Sequence, residues 1–194
     1  IAMIRSIPNI VFMQPKDEAE FVHMLRTMNH YQNGPTVIRY PRGCGAGTPV
    51  PTKAEILPIG KAEVLQTGQD VTLVSLGTMI GIARETVSLL EARGYTVTLI
   101  NARFIKPLDD ECIRRHAARS RVVCTFEDHS ISGGFNSAVL ESLETGNVKT
   151  PVEAIAWPDQ FIEHGSESIL RKIWTHGGSR ATKNHSPPEL LICL

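Results

Sequence analysis

The chain has 194 residues, of which 42% are apolar and 21% are charged, and such a mixture can bury the core of a globular domain. Lys and Arg together number 20, as do Asp and Glu, so no overall charge attracts nucleic acid or an anionic membrane surface. No apolar run approaches the roughly 18 residues of a membrane-spanning helix, and the first residues do not follow the pattern of a signal peptide. We therefore expect neither nucleic acid nor a membrane among the partners of this chain.

Cysteine and histidine positions bear on metal binding and on the cellular compartment. The four cysteines, Cys44, Cys112, Cys124 and Cys193, lie far apart without a C-x-x-C pair, and the seven histidines are scattered. Zinc sites need closer ligand spacing, so we expect no metal-binding residues. Separated cysteines suit a reducing compartment and predict a cytoplasmic location. Because residue 1 is not methionine, we also expect the chain to be part of a longer protein.

Residues 1–45 predict one β-α-β unit. A short apolar run at residues 9–13 predicts a strand. Asp17 is the expected N-cap of the helix that follows, and Glu20, three residues later, is expected to complete a capping box. The helix ends before Gly34, and residues 36–40 predict a second strand. A unit of this size cannot bury a core by itself.

Arg42 is the candidate ligand-binding residue of this unit. Pro41 stops the second strand and Gly43 lets the backbone turn, so Arg42 is expected at the carboxyl end of a strand, where open α/β sheets place their ligands. A guanidinium there can hold a phosphate or a carboxylate through two hydrogen bonds. An arginine at a strand end can equally form a surface ion pair. The residues alone leave both interpretations open.

A second domain is predicted at residues 59–194, after a linker rich in Gly and Pro at residues 46–58. Patterns of buried strands alternate in this domain with helical patterns. The strand patterns lie at residues 71–76, 96–100, 122–126 and 152–156, and the helical patterns at residues 80–90, 109–118, 135–143 and 168–173. Such alternation is typical of β-α-β crossovers. The predicted fold class is therefore α/β, a three-layer α/β/α domain around a largely parallel sheet.

One polar cluster of this domain follows its third predicted strand. Glu127 and His129 stand there before the glycine pair Gly133-Gly134 and the next helix. They could form an acid–base pair, or they could anchor the turn and cap the helix. The second interpretation is favoured, because the sequence places no nucleophile nearby.

Two further polar segments are candidate sites. Asp159 and His164 lie in residues 158–166, where packed carboxylates could tune the pKa of the histidine. A loop that docks on a neighbouring domain explains the same residues, and we favour that interpretation. Residues 101–109 predict an ordered surface segment. No cluster forms a nucleophile–base–orienter set, so we expect no catalytic residue in the chain.

Several segments occur together in an order that resembles a known enzyme family. They are Arg5-Ser6-Ile7-Pro8-Asn9, Pro15-Lys16-Asp17-Glu18, Gly34-Pro35 through Arg39-Tyr40-Pro41-Arg42-Gly43, Leu57-Pro58-Ile59-Gly60-Lys61, Gly77-Thr78-Met79, Asn101-Ala102-Arg103-Phe104-Ile105-Lys106-Pro107-Leu108-Asp109, Glu127-Asp128-His129 with Gly133-Gly134-Phe135, and Pro158-Asp159 through Gly165. Over residues 4–173 the chain resembles the 1-deoxy-D-xylulose-5-phosphate synthases, which are transketolase-like thiamine diphosphate enzymes. Residues 174–194 depart from the family and form an atypical tail.

The resemblance implies a domain assignment and a reaction. Residues 1–45 would end a pyrimidine-binding domain, and residues 59–194 would form a transketolase C-terminal domain. The family condenses pyruvate with glyceraldehyde 3-phosphate, with loss of carbon dioxide, to make a precursor of isoprenoids. It forms homodimers and uses thiamine diphosphate and Mg²⁺, whose binding motifs this chain lacks, so we expect the chain alone to be inactive.

The resemblance also implies roles for single residues. Arg42 matches the arginine that holds the phosphate of the acceptor substrate. Glu127, His129, Asp159 and His164 would lie near the site or at a domain interface. Two other interpretations stay open: a part of another thiamine diphosphate enzyme, such as a transketolase or a 2-oxo-acid dehydrogenase β-subunit, and a non-catalytic dimerisation or binding module.

Overall fold

Two β-sheets and the helices around them make up the part of the protein that the computed structural model describes, residues 1–166. The strands are β1 (Val11–Met13), β2 (Thr36–Ile38), β3 (Glu63–Gln66), β4 (Val71–Ser75), β5 (Val97–Asn101), β6 (Phe104–Lys106), β7 (Val122–Ser130) and β8 (Val152–Trp157). The helices are α1 (Ala2–Arg5), α2 (Glu18–His30), α3 (Ile80–Glu91), α4 (Asp110–Ala117) and α5 (Phe135–Thr145). The predicted helix at residues 168–173 and the tail at residues 174–194 lie outside the described residues.

The larger sheet has five strands in the order β3-β5-β4-β7-β8. Strands β5, β4, β7 and β8 are mutually parallel, and β3, which the sequence analysis did not predict, pairs with β5 in the antiparallel sense. The predicted α/β class with a largely parallel sheet is therefore confirmed. No helix in residues 1–166 is long and apolar enough to cross a membrane.

Helices cover both faces of this sheet. Successive side chains of a strand point to opposite faces, so a strand of apolar residues has two apolar faces to bury. Leu73 of β4 belongs to a buried cluster that includes Ala83 of α3. The next residue, Val74, belongs to a second cluster, with Ile113 of α4 and Val139 of α5. The larger sheet thus lies between α3 on one side and α4 and α5 on the other, as the three-layer prediction requires.

The smaller sheet joins the two predicted parts of the chain. Its order is β2-β1-β6, with β1 parallel to β2 and antiparallel to β6. The prediction of a surface segment at residues 101–109 is wrong, because Phe104 and Ile105 are buried in β6. Phe104 packs in one apolar cluster with Val11 of β1 and Met24 of α2. A partner strand about 90 residues earlier in the chain buries this segment, and no local pattern reveals such a partner.

Residues 46–58, the predicted linker, contain no helix or strand and lie along α2. The Glu18 carboxylate accepts hydrogen bonds from the backbone N–H groups of Gly47, at 2.7 Å, and Thr48, at 3.4 Å. Further along, Leu57 is buried, and its N–H donates to Thr27 Oγ1 at 2.8 Å. The segment is therefore tied to the β-α-β unit at several points, while the domain boundaries stay a prediction.

Candidate functional site

The carboxyl ends of strands from both sheets meet at one place. Gln14 follows β1, Arg39 follows β2, Gly77 follows β4 and Asp128 lies near the end of β7. Gln14 Nε2 donates to Asp128 Oδ1 at 3.1 Å, and a Cβ atom at Gly77 would overlap the Gln14 side chain. Ligands of parallel sheets bind at such strand ends, so this junction is where the fold itself places a candidate site.

A pocket of about 300 Å³ opens beside this junction. Its walls come from the start of α2, the turn after β2 and the start of α3. They are formed by Pro15, Lys16, Asp17, Glu18, Phe21, Tyr40, Pro41, Gly43, Cys44, Gly45, Ala46, Thr78, Ile80 and Gly81. The Tyr40 ring is tilted against Phe21, with the ring centroids 5.1 Å apart. Most of this wall is apolar, so a charged ligand there would depend on a few polar groups.

Arg42 lies between Pro41 and Gly43, which line the pocket; Arg42 itself is exposed and does not line it. No ion pair or hydrogen bond to its guanidinium occurs within residues 1–166. The surface ion pair that the sequence left open is therefore not found in the described part. Because the residue is exposed, an anionic group can reach the donors of its guanidinium.

Both ends of the Arg42 turn are anchored. On its amino side, Arg39 Nη1 donates to Asp128 Oδ1 at 2.5 Å, and Arg39 Nη2 donates to the Asp128 carbonyl oxygen at 3.1 Å. On its carboxyl side, hydrogen bonds from backbone N–H groups, including that of Gly47, lower the pKa of Glu18. Glu18 is therefore ionised when it holds this loop. The two anchors limit where Arg42 can move.

Glu127 caps the next helix, as the favoured interpretation of its cluster predicts. Its side chain is almost completely buried, and its two oxygens accept hydrogen bonds from the N–H groups of Phe135 at 2.6 Å and Asn136 at 2.8 Å. Burial raises the pKa of Glu127 to about 7, although both hydrogen bonds favour the carboxylate. Gly134 has to be glycine here, because a Cβ atom would overlap the Glu127 carboxylate. The Glu127 side chain therefore has a structural role, because it holds the start of α5.

His129 stands two residues further along β7 and is half-buried. Burial lowers the pKa of His129, and its Nδ1 lies 2.8 Å from the Ser130 carbonyl oxygen. Within residues 1–166, no hydrogen bond joins it to Glu127. The structure thus places the two predicted residues on one strand end without forming an acid–base pair.

Asp159 and His164 are exposed, in the segment after β8. Phe161 between them is 104% exposed relative to a reference side chain, so its ring contacts nothing in the described part of the chain. No hydrogen bond or ion pair in that part joins either residue to Arg42 or Glu127. An exposed phenylalanine suits the favoured docking interpretation, which stays a prediction.

A buried ionic cluster around Glu20 was not predicted from the sequence. Glu20 Oε1 accepts hydrogen bonds from Arg103 Nε at 2.7 Å and Asn101 Nδ2 at 2.8 Å, and it pairs with Lys16 Nζ at 3.2 Å. Glu63 Oε2 also pairs with Lys16 Nζ, at 2.8 Å, and with Arg103 Nη2, at 3.2 Å. Arg103 and Asn101 lie 83 and 81 residues from Glu20 in the chain, so no spacing rule could find these two partners.

The capping prediction for α2 is half right. Asp17 Oδ1 accepts the hydrogen bond of the Glu20 N–H at 2.8 Å, as expected of the N-cap. The Glu20 carboxylate, however, accepts from the Lys16 N–H at 2.8 Å and not from the Asp17 N–H. The expected capping box is wrong in this respect, because the ionic cluster draws the Glu20 side chain inward.

The described residues do not fit a Mg²⁺–diphosphate site. Residues 1–166 contain no group of three His, Cys, Asp or Glu side chains that could hold a metal ion. Carboxylates near the pocket already have partners: Glu18 accepts backbone N–H groups of the loop, Asp17 caps α2 and Glu20 pairs with Arg103. We therefore derive no step of a reaction through thiamine diphosphate or its metal from this part of the chain.

Comparison with protein families shows to which family the chain belongs. The model of the transketolase C-terminal domain matches residues 60–176. The chain belongs to this family. Among curated proteins, the 1-deoxy-D-xylulose-5-phosphate synthases of Heliobacterium modesticaldum and Methylacidiphilum infernorum are 48% and 45% identical to it over 172 residues. These matches cover 89% of the chain but 26% and 27% of the two relatives. The chain therefore spans about a quarter of the length of these synthases.

Solved structures agree with the family. A split-gene transketolase, described as an inactive beta4 tetramer, has a TM-score of 0.74 and 32% identity, over 84% of this chain and 53% of its own. A transketolase from Campylobacter jejuni has a TM-score of 0.62 and 15% identity, over 89% of this chain and 25% of its own. The second likeness shows the fold alone. Together they confirm the predicted transketolase-like architecture.

Proposed function

We propose that the chain is the C-terminal part of a 1-deoxy-D-xylulose-5-phosphate synthase. This enzyme condenses pyruvate with glyceraldehyde 3-phosphate and releases carbon dioxide. The observation that carries the proposal is the 48% identity to such a synthase over 172 residues, which is far more than a shared fold requires. The split-gene transketolase is 32% identical to the chain, so the higher identity to the synthases favours a synthase over a transketolase.

In this proposal Arg42 binds the phosphate of the acceptor. Its guanidinium is exposed and lies in the turn beside the 300 Å³ pocket. Two charge-assisted hydrogen bonds from one guanidinium to a phosphate supply both affinity and orientation. The Arg42 turn is held on both sides, by Asp128 and by Glu18, so the cation is presented in a restricted position.

The rest of the reaction is assigned to parts of the longer protein. Thiamine diphosphate supplies the carbon chemistry when it is bound, and we place its binding residues and those for Mg²⁺ outside this chain. We also propose that the synthase is a cytoplasmic homodimer and that this chain alone is inactive. The related split-gene transketolase, which is described as an inactive beta4 tetramer, supports the last point.

The test is a full-length synthase in which this chain replaces the matching C-terminal quarter of the Heliobacterium modesticaldum enzyme. We expect 1-deoxy-D-xylulose 5-phosphate from pyruvate and glyceraldehyde 3-phosphate, and no turnover by the chain alone. In this protein Arg42→Ala should raise the KM for glyceraldehyde 3-phosphate about 100-fold, since it removes two charge-assisted hydrogen bonds. The KM for pyruvate should not change.

The matched control is Arg84→Ala, which removes another exposed arginine, on α3. It should leave both KM values unchanged. A folded hybrid that makes no product would contradict the synthase assignment and favour a non-catalytic module. An Arg42→Ala enzyme with the KM of the parent would contradict the phosphate role alone.

A further inference from the structure

Asp128 connects the transketolase C-terminal domain to the loop that carries Arg42. Its Oδ1 accepts hydrogen bonds from Arg39 Nη1 at 2.5 Å and from Gln14 Nε2 at 3.1 Å. Its carbonyl oxygen accepts a third, from Arg39 Nη2 at 3.1 Å. The side chain of Asp128 is 11% exposed, and that of Gln14 is fully buried. One acidic residue of β7 thus holds the residues that follow β1 and β2.

The backbone that presents Asp128 is itself fixed. The preceding residue, Glu127, accepts two backbone hydrogen bonds from the start of α5 inside the core. Phe126, one residue earlier, is buried and pairs in register with Ser75 of β4 and Ile155 of β8. Such a contact network restrains the Asp128 carboxylate more than a surface loop would.

The position of Arg39 is transmitted directly to Arg42. The Arg39 N–H donates to the Met13 carbonyl oxygen at 2.9 Å, so Arg39 continues the pairing of β2 with β1. Only Tyr40 and Pro41 separate it from Arg42, and both are constrained. Pro41 has a fixed φ, and the Tyr40 ring packs against Phe21. The backbone and the guanidinium of Arg39 are thus both held at the start of the turn.

We propose that Asp128 is a positioning residue for the acceptor phosphate: by holding Arg39 it sets the place of Arg42. This inference rests on the proposed function of Arg42. Asp128 also neutralises the Arg39 guanidinium, so that Arg42 is the cation of this turn left for the ligand within residues 1–166. The C-terminal domain thereby takes part in substrate binding through a residue that does not touch the substrate.

The test uses the full-length hybrid synthase with thiamine diphosphate and Mg²⁺. Asp128→Asn should raise the KM for glyceraldehyde 3-phosphate about 10-fold, since displacements near 1 Å cost up to about 100-fold. The kcat and the KM for pyruvate should stay within about twofold of the parent values, as expected when binding of the acceptor alone is weakened. With D-glyceraldehyde, which has no phosphate, the Asp128→Asn enzyme and the parent should have the same KM for the acceptor. A residue that only stabilised the fold would affect both acceptors equally.

Further variants separate positioning from stability. In an Arg42→Ala background, Asp128→Asn should not raise the KM for glyceraldehyde 3-phosphate any further. Arg39→Lys keeps the charge but cannot make both contacts with Asp128, so it should reproduce the KM increase even where Asp128→Asn fails to fold. The control Asp70→Asn breaks a comparable set of contacts, to Thr96 and Arg121, at the amino end of β4. It should leave the KM for both acceptors unchanged.

Two results overturn the inference while the proposed function stands. One is an Arg42→Ala enzyme with a raised KM beside Asp128→Asn and Arg39→Lys enzymes with the parent KM. The other is an Asp128→Asn enzyme whose KM rises equally for the phosphorylated and the unphosphorylated acceptor. An Arg42→Ala enzyme with an unchanged KM refutes the phosphate role of Arg42 and the inference together.

Discussion

Removal of the Glu20 carboxylate should destabilise the protein more than removal of any exposed acid. Glu20 is 2% exposed and accepts hydrogen bonds from Lys16, Asn101 and Arg103. Glu20→Ala leaves these donors without their common acceptor in a place that water reaches poorly. Breaking a buried ion pair on one side costs about 3 to 5 kcal/mol, because a charge stays buried without a partner.

The structure places this variant at the lower end of the range. Lys16 and Arg103 are 14% and 18% exposed, and both keep an ion pair with Glu63. We therefore expect a loss of about 3 kcal/mol in the free energy of unfolding. With a denaturant slope of about 2 to 3 kcal/mol per molar urea, the midpoint should fall by about 1 M or slightly more.

Equilibrium urea unfolding measures this loss, followed in parallel by tryptophan fluorescence and far-ultraviolet circular dichroism. Coincident transitions are required, since they license a single free energy. The control is Glu141→Ala, which removes the 64% exposed partner of Arg5 and should cost less than about 1 kcal/mol. If the two variants differ by less than about 1 kcal/mol, the cluster around Glu20 does not carry the stability that its burial implies.

Two further predictions concern the turn before α5 and the start of α3. Because burial raises the pKa of Glu127 to about 7, from 4.5, the folded state holds this proton more tightly, and stability should fall by about 3 kcal/mol between about pH 4.5 and 7. In the Glu127→Gln variant, the free energy of unfolding in urea should differ less between pH 5 and pH 8 than in the parent. An equal difference in both proteins would contradict the raised pKa of Glu127. Gly134→Ala should cost about 1 to 3 kcal/mol by overlap with Glu127, whereas Gly81→Ala, with open space on α3, should stabilise by up to about 1 kcal/mol. Thermal or urea unfolding that shows the same sign for both glycine variants would refute this reasoning.

Local patterns in the sequence predicted the elements that depend on neighbouring residues. The N-cap at Asp17 and the helix-capping role of Glu127 each involve partners within nine positions. Buried strands such as β4 were also predicted, because their apolar runs stand between turn residues. These signals act over a few residues, and the structure confirms the two caps and β4, whereas β2 ends at Ile38 and not at the predicted residue 40.

Segments that pair with distant residues were missed or misread. In residues 101–109, Phe104 and Leu108 stand among polar residues, as in a surface segment, and pairing with β1 buries Phe104. The inward turn of the Glu20 carboxylate has the same origin, because Arg103 reaches it from 83 residues away. In both cases the deciding partner comes from the other part of the chain.

The sequence by itself determined that this is an α/β protein of the transketolase C-terminal domain family, with Arg42 in a turn at a strand end. The tertiary structure alone decided that Asp128 meets Arg39 and Gln14, which are 89 and 114 residues away in the chain, and that this contact lies beside the pocket. The reason is physical. Helix and strand preferences arise from short-range backbone and side-chain interactions, whereas the meeting of buried polar groups depends on how two sheets close on each other.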